Sequence, residues 1–289
     1  MKIVVIGGAG RVGTLFAQHL AAHASETVRV DQIAGDDVVA IDVTEGSAAL
    51  RELIASATVV VNCLPDAVAT ASARRLAAMM SPDCLLVDTL SVKSAYLDAL
   101  VPPDGGAPAF ECLSLNPLFA PELGFVGRPV LAVRVHDGDL ARRFTAWLGE
   151  WGARVVELPR EEHDRSMAIM QAAVHASVLA FALTLERLPP ALRDGRTGTP
   201  PFRTMQLLAA RLTGSPAELY WDIQHENLFA AHARAAVATA LADLDRLIVR
   251  GDADGFAELF ARVDAALGAE APQLRRRCAE FFATLSETP

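Results

Sequence analysis

Lys2-Ile3-Val4-Val5-Ile6-Gly7-Gly8-Ala9-Gly10-Arg11-Val12-Gly13-Thr14-Leu15-Phe16 decides how the first half of the chain is read. Ile3–Ile6 is an uninterrupted apolar run, as expected of a strand covered on both faces. Gly8, Gly10 and Gly13 follow in G-x-G-x-x-G spacing, and Val12, Leu15, Phe16 and Leu20 then recur with helical period. Strand, glycine turn and helix in that order predict a dinucleotide site. Glycine lets the backbone approach a pyrophosphate, which rests on the unpaired N–H groups of the helix N-terminus. Gly8, Ala9, Gly10, Arg11, Val12 and Gly13 are the candidate contacts. Asp31 closes the next strand, where a carboxylate accepts hydrogen bonds from ribose hydroxyls and repels a 2′-phosphate, favouring NAD over NADP. Strand alternation puts Arg29 on the same side, so it is able to partner either group.

Outward from this stretch, the first half alternates short apolar runs with helical patterns. Expected strands are Ile3–Ile6, Thr27–Val30, Val38–Ile41, Thr58–Cys63, Leu85–Asp88, Glu111–Leu115, Val130–Val135 and Arg154–Glu157. Arg11–Ala24, Ala67–Met80 and Asp139–Trp151 read as helices between them. Such alternation predicts an α/β Rossmann-type, doubly wound sheet, with antiparallel pairing left open towards its end. Leu64 and Pro65, following the Thr58–Cys63 strand, are either cofactor contacts or packing residues. After Pro159 the pattern turns helical almost to the end, interrupted at Leu188–Pro201, Gly214-Ser215-Pro216 and Gly251-Asp252. Two domains are therefore expected: residues 1–158, which bind the dinucleotide, and an all-α part over 159–289.

The net charge of -9 gives no electrostatic reason for nucleic acid as a partner. Cys63, Cys84, Cys112 and Cys278 lack C-x-x-C spacing, which argues against zinc or a disulfide framework. Met1-Lys2 runs straight into the first strand without a leader's apolar stretch, so a cytoplasmic location is expected. Met167–Leu185 is uncharged, closely flanked by charged residues and long enough to span a bilayer, yet Gln171 and His175 give it a polar face. It is read as a helix covered by other protein, at the centre of the second domain or of a homodimer, with no membrane involved.

Several segments together resemble a known family. They are Asp88-Thr89-Leu90-Ser91-Val92-Lys93, Leu115-Asn116-Pro117-Leu118-Phe119-Ala120-Pro121 and Glu162-His163-Asp164 with Met167, Gln171 and His175. Further on come Phe202-Arg203, Arg211, Leu219-Tyr220, Asp222-Ile223 and Asn227. Their order and spacing resemble the prephenate dehydrogenases of tyrosine biosynthesis across both domains. The resemblance implies a helical dimerisation domain and an NAD-dependent oxidative decarboxylation of a cyclohexadiene dicarboxylate. It implies Arg211 as a bidentate carboxylate clamp, with Arg203 two helical turns earlier as a second cation. It also implies Gln171 and His175 as substrate or cofactor contacts and Ser91 beside the reacting oxygen.

One position departs from the family pattern His-Pro-Met-Phe-Gly-Pro. Asn116 stands where that pattern has the histidine that takes up the proton of the substrate's 4-hydroxyl. A carboxamide does not titrate near neutrality, and loss of a general base costs about 10²–10⁴ in rate. A 4-amine needs no such base, because its neutral nitrogen already offers a lone pair. The expected reaction is therefore 4-amino-4-deoxyprephenate to 4-aminophenylpyruvate, with Asn116 and Ser91 in the catalytic roles. Two other readings stay open: an ordinary prephenate dehydrogenase forming 4-hydroxyphenylpyruvate, and an inactive NAD-binding sensor.

Overall fold

A computed structural model describes residues 1–101, 105–189, 192 and 198–286. They pack as two compact units. The first holds Met1–Ala168 and Trp221–Phe229, and the second holds the described residues of Ile169–Tyr220 and Ala230–Pro289.

The first unit is built on one eight-stranded sheet. Its strands are β1 (Lys2–Ile6), β2 (Glu26–Asp31), β3 (Val38–Ala40), β4 (Val59–Asn62), β5 (Leu85–Asp88), β6 (Glu111–Pro117), β7 (Pro129–His136) and β8 (Arg154–Glu157). They lie in the order β3-β2-β1-β4-β5-β6-β7-β8. Every neighbouring pair is parallel except β6 with β7, where Leu115 faces Ala132 and Asn116 faces Leu131. The eight expected strands are all present, with ends shifted by a residue or two at most.

The central strands are apolar because helices cover both faces. Alternation sends Val4, Ile6, Val60 and Leu86 one way, against Leu50 and Ile54 of α2 (Ala48–Ala55), Ala73 of α3 (Asp66–Ala77) and Tyr96 of α4 (Ser94–Leu100). Ile3, Val5, Val61 and Val87 go the other way, against Phe16 and Leu20 of α1 (Arg11–Leu20) and Phe144 of α5 (Asp139–Glu150). Each such side chain contributes roughly 1.5–3 kcal/mol by leaving water. The order reverses between β1 and β4, where the connections leave a crevice beyond the strands' carboxyl ends. Asn62, Asp88 and Asn116 all sit at or near that edge, because β4, β5 and β6 run parallel with Asn62 beside Asp88 and Asp88 beside Ser114.

Helix α1 ends at Leu20, short of the expected Ala24. The helical stretch after Pro159 runs as α6 (Arg160–Met167), a π-turn over Ala168–Ala173, and α7 (Val174–Thr184). The two compact units divide within it, after Ala168. Met167 and Ala168 are fully buried.

The second unit holds α7, α8 (Pro200–Thr213), α10 (Ala230–Arg250), α11 (Ala253–Leu267) and α12 (Ala271–Ser286), with the first part of α9 (Ala217–His225). Val178, Ala209 and Leu212 form a small core with Met205 and Tyr220 against it. The Met167–Leu185 stretch was expected to be covered. Within this chain much of it is not: Ile169 is 67% exposed and Leu183 69%. The helix Arg160–Arg187 is long and apolar enough to cross a membrane by length and composition.

Candidate active site

The turn after β1 needs a glycine that the G-x-G-x-x-G spacing does not single out. Gly7 sits at φ +73°, and a Cβ there would lie 2.7 Å from the carbonyl oxygen of Cys63. Gly13 is needed for contact: a Cβ would stand 2.2 Å from the Gly7 carbonyl oxygen, so only glycine lets α1 begin this close to β1. The N–H groups of Gly8, Ala9 and Gly10 are bonded to Val30, Asp31 and Gly7, so the turn is fixed, and a pyrophosphate would rest on the first-turn N–H groups of α1 that follow Gly10. Arg29 is not hydrogen-bonded to Asp31. Its guanidinium is bound to the Gly8 carbonyl (2.9 and 2.6 Å) and to Thr14 Oγ1 (2.9 Å), bracing the loop. Asp31 accepts a hydrogen bond from the Ala9 N–H (3.1 Å), which holds its carboxylate beside the turn.

These features fit a dinucleotide without a 2′-phosphate, since a fixed carboxylate stands beside the turn and Arg29 is engaged. Leu64 follows the packing reading in part, lining a small cavity with Ile6, Leu50 and Leu76. Pro65 is exposed and caps α3.

At the carboxyl edge of β5 and β6 lies a buried polar cluster, drawn, except for Ser94, from the segments that carry the family resemblance. Lys93 is wholly buried. Its ammonium donates to Asp88 Oδ1 (3.1 Å) and to the carbonyls of Leu90 (2.7 Å) and Leu115 (2.7 Å). It thus ties the end of β5 to the residue preceding Asn116. Asn116 itself is 3% exposed, and its amide lies 3.1 Å from His163 Nε2. His163 Nδ1 in turn lies 2.9 Å from Asp164 Oδ1. Asp164 also accepts from the backbone N–H groups of Lys93 and Ser94 and from the Ser94 hydroxyl (2.6 Å). The Asn227 amide closes the cluster on the Asp164 carbonyl (2.8 Å).

Burial pushes His163 below the usual histidine range, outweighing the bond to Asp164 that would raise it. Burial also pushes Asp164 upward, but the bonds from His163, Ser94 and the Lys93 and Ser94 backbone win, and its carboxyl is held low. A neutral imidazole therefore stands against a carboxylate, with an amide as its other partner.

Ser91 is placed by Asp66, whose carboxylate accepts from the N–H groups of Ser91 (3.1 Å) and Val92 (2.9 Å). Burial outweighs these bonds, and the Asp66 carboxyl is pushed up to about 6. Asp222 lies close by, accepting from the Ala67 N–H (3.2 Å), and its charge raises Asp66 further. The folded state thus holds the Asp66 proton through the interval from about 3.9 to about 6, where the unfolded chain has lost it. The sign is the reverse of an ordinary paired carboxylate, since stability from this group falls as pH rises. The loss approaches about 3 kcal/mol by neutrality. Asp66→Asn keeps an acceptor oxygen for Val92. Thermal melting across pH should show the variant gaining on the wild type from about pH 4 to pH 7, and parallel curves would refute this.

In the second unit Gln171 sits in the π-turn and His175 opens α7. Gln171 Oε1 and His175 Nδ1 are buried with no hydrogen-bond partner among the described residues. Buried polar atoms are almost always paired, so these two, four residues apart, are open to a partner from a ligand or from water. Burial lowers the His175 pKa, and its ring packs edge-on against Tyr220 (4.9 Å). Arg203 and Arg211 both lie on α8, half-buried and exposed respectively.

Residues 159–262 match the family described as prephenate dehydrogenase, dimerization domain. The 4-amino-4-deoxyprephenate dehydrogenase of Streptomyces pristinaespiralis is 41% identical over 292 residues, covering 98% of this chain and 97% of that one. The T-protein of Haemophilus influenzae is 30% identical over 91% of this chain, which spans 66% of the T-protein. The A. aeolicus prephenate dehydrogenase, crystallised with hydroxyphenyl propionate and NAD+, superposes with a TM-score of 0.71 at 18% identity, covering 92% of this chain and 96% of that one. Synechocystis arogenate dehydrogenase gives 0.67 at 16% identity, with coverage of 92% and 98%. The two structures share the fold.

Proposed function

Because the chain belongs to the prephenate dehydrogenase family, we propose that it converts 4-amino-4-deoxyprephenate to 4-aminophenylpyruvate with NAD. The observation that carries this reading is the amide of Asn116, buried and hydrogen-bonded to His163, where a proton-accepting side chain would be needed for a hydroxyl substrate. The Streptomyces relative, named for the same amino compound, supports it.

Gly8–Gly13 and Asp31 would hold NAD, which supplies a hydride acceptor when bound. On the substrate, hydride leaves C4 as the nitrogen lone pair forms a C=N bond. The C1–carboxylate bond then breaks, its electrons restore the lone pair and complete the aromatic ring, and carbon dioxide departs. From the free amine no net proton is exchanged, and substrate that arrives as the ammonium first gives one proton to water. Asn116 needs only to accept an N–H and hold the amine's orientation, which leaves the reacting lone pair free. Ser91, set by Asp66, would contact the same end of the ring. Arg211 and Arg203 would hold the carboxylates, Arg211 by a bidentate pair. The orphaned Gln171 and His175 atoms would find their partners on bound substrate or cofactor.

A second reading, turnover of prephenate itself, draws support from His163, a titratable group near Asn116. Yet its Nε2 is already taken by the Asn116 amide and the ring is fully buried. Purified protein supplied with NAD and each compound should form NADH with a kcat/KM about 10²-fold greater on the amine, the lower end of a missing base's cost. Faster turnover of prephenate would refute the proposal.

Asp31 gives a separate check on the cofactor. Asp31→Ser should raise the KM for NAD roughly tenfold and improve use of NADP, by loss of one charge-assisted contact and of a repulsion. An unchanged NAD-to-NADP preference would remove Asp31 from the site. The exposed apolar side chains of the second unit, Ile169, Leu183, Leu207 and Leu241 among them, support a homodimer that covers them. A cytoplasmic enzyme acting on a small dicarboxylate, without membrane or nucleic acid, completes the proposal.

A further inference from the structure

Every proton can be placed in the chain of bonds behind Asn116. The Asp164 carboxylate only accepts, so the His163 nitrogen facing it, Nδ1, carries a hydrogen. Burial keeps the ring neutral, which leaves a lone pair on Nε2. Whatever meets Nε2 must donate, and at 3.1 Å that is the Asn116 –NH₂. Its oxygen is thereby turned away from His163. The reverse orientation would set two acceptors against each other, and this disfavours it by roughly five- to a hundredfold.

From this we infer that His163 and Asp164 lock the Asn116 amide as an acceptor toward substrate, making His163 a positioning residue that sets the preference for an amine. The inference rests on the proposed function and deepens it. An acceptor engages an N–H and leaves the amine lone pair to drive hydride out. A flipped amide would donate into that same lone pair and hold back the electrons the reaction needs. An oxygen substituent keeps a second lone pair and suffers less.

Asp164→Asn tests the lock. An amide at 164 that turns its –NH₂ to Nδ1 gives up the Lys93 N–H, moves the ring hydrogen to Nε2 and reverses Asn116, and nitrogen NMR of the variant shows that it has turned before the ratio is read. The ratio of kcat/KM for 4-amino-4-deoxyprephenate over prephenate should then fall about tenfold, chiefly through kcat on the amine. A merely structural role would lower both substrates alike, so an unchanged ratio overturns the inference. Nitrogen NMR of histidine-labelled wild-type protein, with His163→Gln for assignment, reads the tautomer directly, even where Asp164→Asn fails to fold. The Nδ1–H form is expected, and the Nε2–H form overturns the lock. If the wild type prefers prephenate the proposed function falls, while the tautomer measurement still judges the lock.

Discussion

Asn116→His should raise kcat/KM on prephenate by about 10², within the 10²–10⁴ that a positioned general base contributes. The cluster behind the residue is what makes so large a gain expected. His163 Nε2 requires a donor at 3.1 Å, and an imidazole at 116 meets that demand with one ring N–H. Its other nitrogen is left as a lone pair, the form a base must have. The pair that orients the native amide would therefore set the tautomer of its replacement. Turnover of the amino compound should change less, since that chemistry draws on the substrate's own nitrogen. The measurement is the pair of kcat/KM values, with a new dependence of prephenate turnover on pH as the base titrates. No gain on prephenate, in a variant that still binds NAD and melts normally, would mean that position 116 does not face the 4-substituent.

The second large effect concerns stability. Lys93→Met should destabilise the protein by about 3–5 kcal/mol, or prevent soluble expression, because it leaves a buried carboxylate without its counter-ion. Lys93 and Asp88 are both fully buried, and the ammonium also satisfies two backbone carbonyls. Methionine fills much of the same volume, so the loss would report charge and hydrogen bonding rather than a cavity. Lys93→Met combined with Asp88→Asn should recover part of the deficit, since replacing a whole buried pair is often close to neutral. Denaturant midpoints of the two variants and the wild type decide it. A single variant as stable as the wild type would show that water, not Lys93, carries Asp88.

The contrast between these residues shows what could be read in advance. β1, β4 and β5 are legible because strands covered on both faces must be apolar throughout, which leaves runs such as Val59–Val61 with little ambiguity. The direction of β7 is not legible, since Val130–Val135 has the same pattern whether it runs with β6 or against it. Helix α2 escaped notice because it is a single short stretch, although Ser47 caps it by accepting from the Leu50 N–H. At the site, Asn116 stood out as a departure from a family pattern. Lys93 did not, because a lysine beyond a strand ordinarily reaches solvent, and only the fold brings two carbonyls and a carboxylate around it. Asp66 carries no pattern that singles it out, and only the turn at Ser91, closing over it, gives it partners. Long-range burial gives these residues their partners, and burial of that kind leaves no local mark.

Trp221–Phe229 is packed with the first unit although the chain on either side of it belongs to the second. The return carries Asp222 to the Ala67 N–H and Asn227 to the Asp164 carbonyl. A fragment stopping at Ala168 would keep the whole sheet and every candidate dinucleotide contact, yet the base of the Asn116 cluster would lose a strut. Grafting this nucleotide half onto a foreign helical half would meet the same obstacle: the two halves are interleaved by the thread, and no single scission yields both intact.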